Sequence, residues 1–151
     1  MPAFVTFGRA LFALMFIYLG AAKLFGIDAT TDAIAAKVTI PALLAPYTSQ
    51  LETMTGMTTF KMLAIAVGAF EVIAGLMIAI NFGARFFAIL LIFVVAAATF
   101  YFYDFWNQAP PDNGKALVDA LKNLSIIGAL FMIAGYRRRS SHPAETVYGD
   151  V

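Results

Sequence analysis

The run from Phe86 to Tyr103, eighteen residues without a single charge, constrains this chain more than any other feature. A segment that long and that apolar is the signature of a bilayer-spanning helix, which needs about 20 predominantly apolar residues. Three more runs of similar length accompany it. The first extends from Phe4 to Phe25, uninterrupted between Arg9 and Lys23; the second from Met62 to Phe82, apolar except for Glu71; the fourth from Leu117 to Tyr136. The fourth is the least apolar, with Asp119, Lys122, Asn123 and Ser125 in its first half. Apolar residues make up 62% of the 151 and charged ones 13%, against roughly a quarter charged in an ordinary soluble domain. The expected fold is therefore all-α, an integral membrane four-helix bundle comprising one domain over 1–136 and a polar tail over 137–151. The basic start and the small residues Gly20 to Ala22 also fit a signal peptide. Lys23 directly after them, and three later spans, argue for a retained helix.

The basic residues set the expected orientation. Arg9, Arg85 and Arg137 to Arg139 fall on one side of a four-pass chain. The five lysines fall towards the other, among Asp28, Asp32, Glu52, Asp104, Asp112 and Asp119. Basic residues in short loops mark the cytoplasmic side, which places both termini in the cytoplasm. Three spans would split Arg85 from the Arg137 cluster. Asn81 to Arg85 reads as a tight turn helped by Gly83, and Gly26 to Lys61 as a long external loop. In that loop Thr31 or Asp32 is an N-cap candidate for a short helix ended by Pro41. Beyond it, Leu43, Leu44, Tyr47, Leu51 and Met54 recur at helical spacing, an amphipathic segment for the outer membrane surface or for the top of the bundle. Asp112 is an N-cap candidate for the last helix, and the tail from Arg137 reads as disordered.

Several chemistries are removed by composition. No cysteine means no disulfide, thiolate metal site or iron–sulfur cluster. The one histidine, His142, sits in the polar tail, so haem held by two histidines of this chain is excluded. Met54, Met57 and Met62 are soft copper ligands, but without cysteine or a nearby histidine no metal is expected. A net charge of +1 gives no nucleic-acid footprint. Any redox role then requires a non-covalent organic cofactor or a partner subunit.

Glu71 carries the most information, because an unpaired carboxylate in mid-membrane costs at least a few kcal/mol. At ~1.5 Å per residue from Gly83 it lies about 18 Å deep; counted from Tyr136, Lys122 lies about 21 Å and Asn123 about 20 Å deep. A buried Glu71–Lys122 pair is thus expected, with Asn123 and Asp119 beside it, either fixing helix register or serving as a proton-linked or ligand-binding carboxylate. Gly68 and Gly75 share the Glu71 face and admit a close helix. Lys23, about 25 Å up the first helix, either snorkels to the outer surface or joins Asp104 and Asp119 in a polar lid. Arg9 is expected to snorkel to the cytoplasmic headgroups. Around Asp104 stand Phe100, Tyr101, Phe102, Tyr103, Phe105 and Trp106. Such a cluster is either an interfacial aromatic belt or the wall of a quinone pocket, with Tyr103, Asp104 and Trp106 at its mouth.

Together these stretches resemble the DoxX family of four-helix bacterial membrane proteins: Gly8-Arg9 with the run to Gly20 and Lys23, Glu71 with Gly75, Arg85 after the short turn, Tyr103-Asp104-Phe105-Trp106, and Leu121-Lys122-Asn123-Leu124 leading to Gly128. The resemblance implies a membrane subunit of an oxidoreductase system, with a quinone as cofactor and with respiratory or redox subunits as partners in the lipid bilayer. A non-catalytic accessory subunit of a larger respiratory or photosynthetic complex is the alternative, and a small transporter a third; homo-oligomerisation is left open. The family often carries histidine where this chain has Tyr103. A tyrosine can hydrogen-bond a quinone oxygen but is a poor proton carrier at neutral pH.

Overall fold

A computed structural model describes residues 3–136. Among these residues there are six helices and no strand: α1 (Ala3–Phe25), α2 (Ile27–Lys37), α3 (Ala45–Thr55), α4 (Thr59–Ala79), α5 (Ala84–Phe102) and α6 (Asp112–Gly135). Four of them, α1, α4, α5 and α6, are long and apolar enough to cross a membrane. Only 17–33% of the most apolar stretch of each is buried inside the protein. Phe4, Phe93 and Met132 are among many large apolar side chains that point outward. Water would penalise that surface by roughly 25 cal/mol per Å²; lipid does not, so the outward apolar face matches a bilayer.

The helix boundaries follow local chemistry. Where α4 begins, the Thr58 hydroxyl accepts from the Lys61 N–H at 3.3 Å. Glu52, near the end of α3, accepts from both the backbone N–H and the hydroxyl of Thr59, each at 2.6 Å. These bonds satisfy otherwise orphaned donors of the first turn and start α4 three residues before the apolar run does. The α4–α5 turn passes through Asn81 (φ 61°) and Gly83 (φ 58°), a left-handed stretch that glycine adopts without strain. The tight turn expected there is present.

Two capping expectations are corrected. α2 starts after Gly26, and the Thr31 hydroxyl donates back to the Ile27 carbonyl within the helix instead of capping it. α2 also stops at Lys37, four residues ahead of Pro41. α6 starts five residues before the apolar run, with Pro111 at the cap position and Asp112 already inside the first turn. There the acid complements the positive end of the helix dipole and pairs with Lys115 at 3.4 Å.

α1 packs chiefly on α4, α4 on α5, and α5 on α6. The α1–α4 crossing is built on small residues. A methyl group added at Gly20 would lie 2.5 Å from the Gly68 carbonyl oxygen, and one at Gly75 would lie 2.8 Å from the Ile17 side chain. Such close backbone approach gives dispersion contacts that lipid cannot supply. Towards the arginine end, the four largest fully buried side chains are Phe16, Ile78, Leu91 and Leu130, one from each spanning helix. Arg9 donates to the Asn81 side chain at 2.8 Å, and Arg85 Nε to the Ala134 carbonyl at 2.8 Å, tying α1 to the turn and α5 to the end of α6. α3 has no buried residue; Leu43, Leu44, Tyr47, Leu51 and Met54 all remain exposed. The tail from Arg137, with its expected disorder and His142, lies outside the described residues.

Candidate functional site

Among the described residues Glu71 is the single charged one that is buried, at 6% exposure, and its partner is Lys23. The ammonium donates to the carboxylate at 2.6 Å. The sequence makes this contact possible in two ways. Gly20 sits against Glu71, so that a Cβ at Gly20 would lie 2.9 Å from the Glu71 Cβ. Lys23 is three residues further along the same face of α1, and helical side chains lean towards the N-terminus of their helix. Its long stem therefore reaches back over Gly20 into the α1–α4 seam.

The expected Glu71–Lys122 pair does not form. Lys122 is exposed and donates to Asp119 on its own helix at 2.8 Å. The depth count along each helix carried no information on which helices pack together. α6 packs on α5, whereas Glu71 faces α1, so the two groups look in different directions. Asn123 instead reaches α5, donating to the Thr99 hydroxyl at 2.9 Å, and Thr99 in turn donates to the Val95 carbonyl. Thr99 was missed, although it is the most polar side chain before the aromatic end of the uncharged run. Lys23 neither snorkels outward nor enters a polar lid with Asp104 and Asp119. Each of those acids has another partner.

At the outer rim Asp104 accepts from Gln108 at 2.8 Å and lies 3.5 Å from the Lys37 ammonium. The Gln108 hydrogen bond, aided by the Lys37 charge, holds its carboxyl below the ordinary value of 3.8. Lys37 joins α2 to the α5–α6 loop here; its signal in the sequence was only that of an ordinary helix-ending lysine. Tyr103 lines an outer cleft of about 580 Å³ with Lys37, Phe102, Gln108, Asp112 and Asp119 among its walls. Trp106 is absent from that lining. Its indole is half exposed and packs against Phe100 and Phe105, with ring centroids 5.6 and 5.0 Å away. The proposed mouth is thus divided: Tyr103 faces the cleft, Asp104 braces the loop, and Trp106 belongs to a surface aromatic cluster.

Three comparisons bear on this arrangement. Residues 4–104 match the DoxX family model, which spans α1 to the end of α5 and includes Lys23, Glu71 and Tyr103. The stretch from Leu121 to Gly128 lies beyond that match. Over 133 residues the chain is 26% identical to the inner membrane protein YphA of Escherichia coli (strain K12), covering 88% of this chain and 82% of that protein. No solved structure matches it. A four-span helical protein whose first five helices fit that family along two thirds of its length is a member of it: the chain belongs to the DoxX family of membrane proteins.

Proposed function

We propose that the protein is a four-pass subunit of a redox system in the bacterial inner membrane, with its arginine end in the cytoplasm and a quinone-like head group bound in the outer cleft. The observation that carries this reading is Tyr103, which presents a phenol to a cleft of about 580 Å³ at the membrane rim. The donor set suits a flat ring with two carbonyl oxygens. The Tyr103 hydroxyl, the Gln108 amide and the ammonium groups of Lys37 and Lys115 can donate, and the Phe102 ring offers an apolar wall. A bound quinone would supply the two-electron chemistry, with electrons coming from a partner subunit. This chain's own residues bind and orient the ring. The Lys37–Asp104–Gln108 contacts hold the α5–α6 loop that closes one side of the cleft. The inward orientation rests on Arg9 and Arg85 at one end, against lysines mixed with acids at the other.

Tyr103→Phe deletes one hydrogen bond and should weaken quinone binding by about 1 kcal/mol. Trp106→Ala, outside the cleft, should leave binding nearly unchanged. Quinone binding and co-purification with partner subunits are measured on both variants. The accessory-subunit alternative draws on the exposed apolar row of α3 and the Trp106 cluster, both surfaces suited to a larger complex. If the unaltered protein binds no quinone and Trp106→Ala loses its partners, that alternative replaces the quinone reading.

A further inference from the structure

At the opposite end of the bundle from Tyr103 lies a larger cleft, about 920 Å³, that the quinone reading does not use. It opens between the first turns of α1, the α4–α5 turn and the last turns of α6. Its walls are apolar, among them Val5, Phe12 and Ile133, and two guanidinium groups, Arg9 and Arg85, line it. Both are fixed by the fold: Arg9 through Asn81 Oδ1, Arg85 through the Ala134 carbonyl. Arg85 spends only its Nε–H on that carbonyl, and its terminal nitrogens bond no described residue. Among the described residues, no carboxylate lines it. Two held cations at the mouth of an apolar furrow, at the level where a spanning helix meets the headgroups, match one chemistry: an acidic headgroup attached to acyl chains.

We propose that this cleft is a binding site for an anionic phospholipid, its phosphate between Arg9 and Arg85 and the upper part of one chain along Phe12 and Ile133. Guanidinium groups suit a phosphate better than lysines because they offer paired N–H donors in a fixed fork. The lysines of the protein all lie at the other end or in the seam. Gly8 also lines the furrow, and a Cβ there would meet nothing within 4 Å. The furrow is therefore open to the bilayer at a position where a larger side chain can fill it without disturbing the helix.

The full-length protein is purified in a zwitterionic detergent and titrated with phosphatidylglycerol or with phosphatidylcholine, and the bound lipids are counted by native mass spectrometry. One phosphatidylglycerol should be retained preferentially. Arg9→Gln or Arg85→Gln should each weaken its retention about five-fold, and Arg85→Lys less. Gly8→Leu keeps both arginines and favours the helix; it should expel the lipid by filling the furrow while the melting temperature is maintained. Lys115→Gln, at the far end, should change nothing here. Equal retention of the two lipids, or unchanged phosphatidylglycerol retention in both Arg85→Gln and Gly8→Leu, overturns the proposal. So does inorganic phosphate at equal concentration displacing the lipid and protecting the unaltered protein from heat as well as the lipid does, since that marks a free-anion site.

Discussion

At Glu71 the carboxylate side chain is 8% exposed, while the Lys23 ammonium that bonds it is 32% exposed, so loss of one partner differs from loss of the other. Lys23→Met strands a charge deep in the α1–α4 seam and should cost about 3 kcal/mol or more. Glu71→Gln leaves a neutral amide that can still accept from Lys23, and the lysine can also extend to the outer surface; about 1 kcal/mol is expected. Lys122→Met removes a bridge already exposed and should stay within ~0.5 kcal/mol. Unfolding in a fixed detergent mixture measures all three. A cost for Lys122→Met equal to that for Lys23→Met would mean that Glu71 relies on α6 after all.

The α1–α4 contact depends on the missing side chain of Gly20, because the atom that a new methyl would meet is the Gly68 backbone carbonyl, which cannot rotate away. Gly20→Ala should destabilise by about 1–3 kcal/mol through overpacking. Gly128→Ala, where a Cβ meets nothing within 4 Å, should be neutral or stabilising by up to ~1 kcal/mol through helix propensity; in thermal melts the midpoint should fall for Gly20→Ala and hold or rise for Gly128→Ala. The α3–α4 joint behaves differently because it titrates. Hydrogen bonds from the Thr59 hydroxyl and N–H hold the Glu52 carboxyl below its ordinary value of 4.5. A depressed folded-state pKa means that this support is complete above the unfolded value and is lost as pH falls through the folded one. Protection of the Thr59 amide and of α3, taken relative to the intrinsic exchange rate at each pH, should fall below about pH 4.5, and Glu52→Gln should show reduced protection already at neutral pH. Protection that does not respond to either change would show that Glu52 does not fasten α3.

For the whole molecule, the orientation follows from the charge partition and is testable because the chain has no cysteine of its own. A cysteine at Ser49, on exposed α3, should react with an impermeant thiol reagent in intact cells. One at Phe82, exposed in the α4–α5 turn, should react only after the membrane is opened. The reverse pattern would invert the protein, and with it both the outer location of the Tyr103 cleft and the inner location of the arginine furrow. The two clefts at opposite ends have opposite characters: mixed charges on one, two arginines and hydrocarbon on the other. The arginine furrow opens where the start of α1, the α4–α5 turn and the end of α6 meet, whereas the outer cleft lies among the ends of α2 and α5 and the first turns of α6.

The four spans, their order and the tight α4–α5 turn were legible in the residues, because they depend on local quantities: run length, charge placement and glycine in a turn. The small faces around Gly68 and Gly75 were legible too, since one helix's periodicity shows what it offers a neighbour. Which neighbour takes the offer was not. Depth along the bilayer is written in one dimension, whereas the direction a side chain faces depends on how helices distant in sequence pack around one another. That is why the count that expected Lys122 beside Glu71 could not find Lys23, which lies 48 positions before it and bonds it. For the same reason Trp106, adjacent in sequence to the Tyr103 cluster, turns onto the surface, while Lys37, 67 positions before Asp104, closes the loop beside it: only the packed bundle fixes those angles.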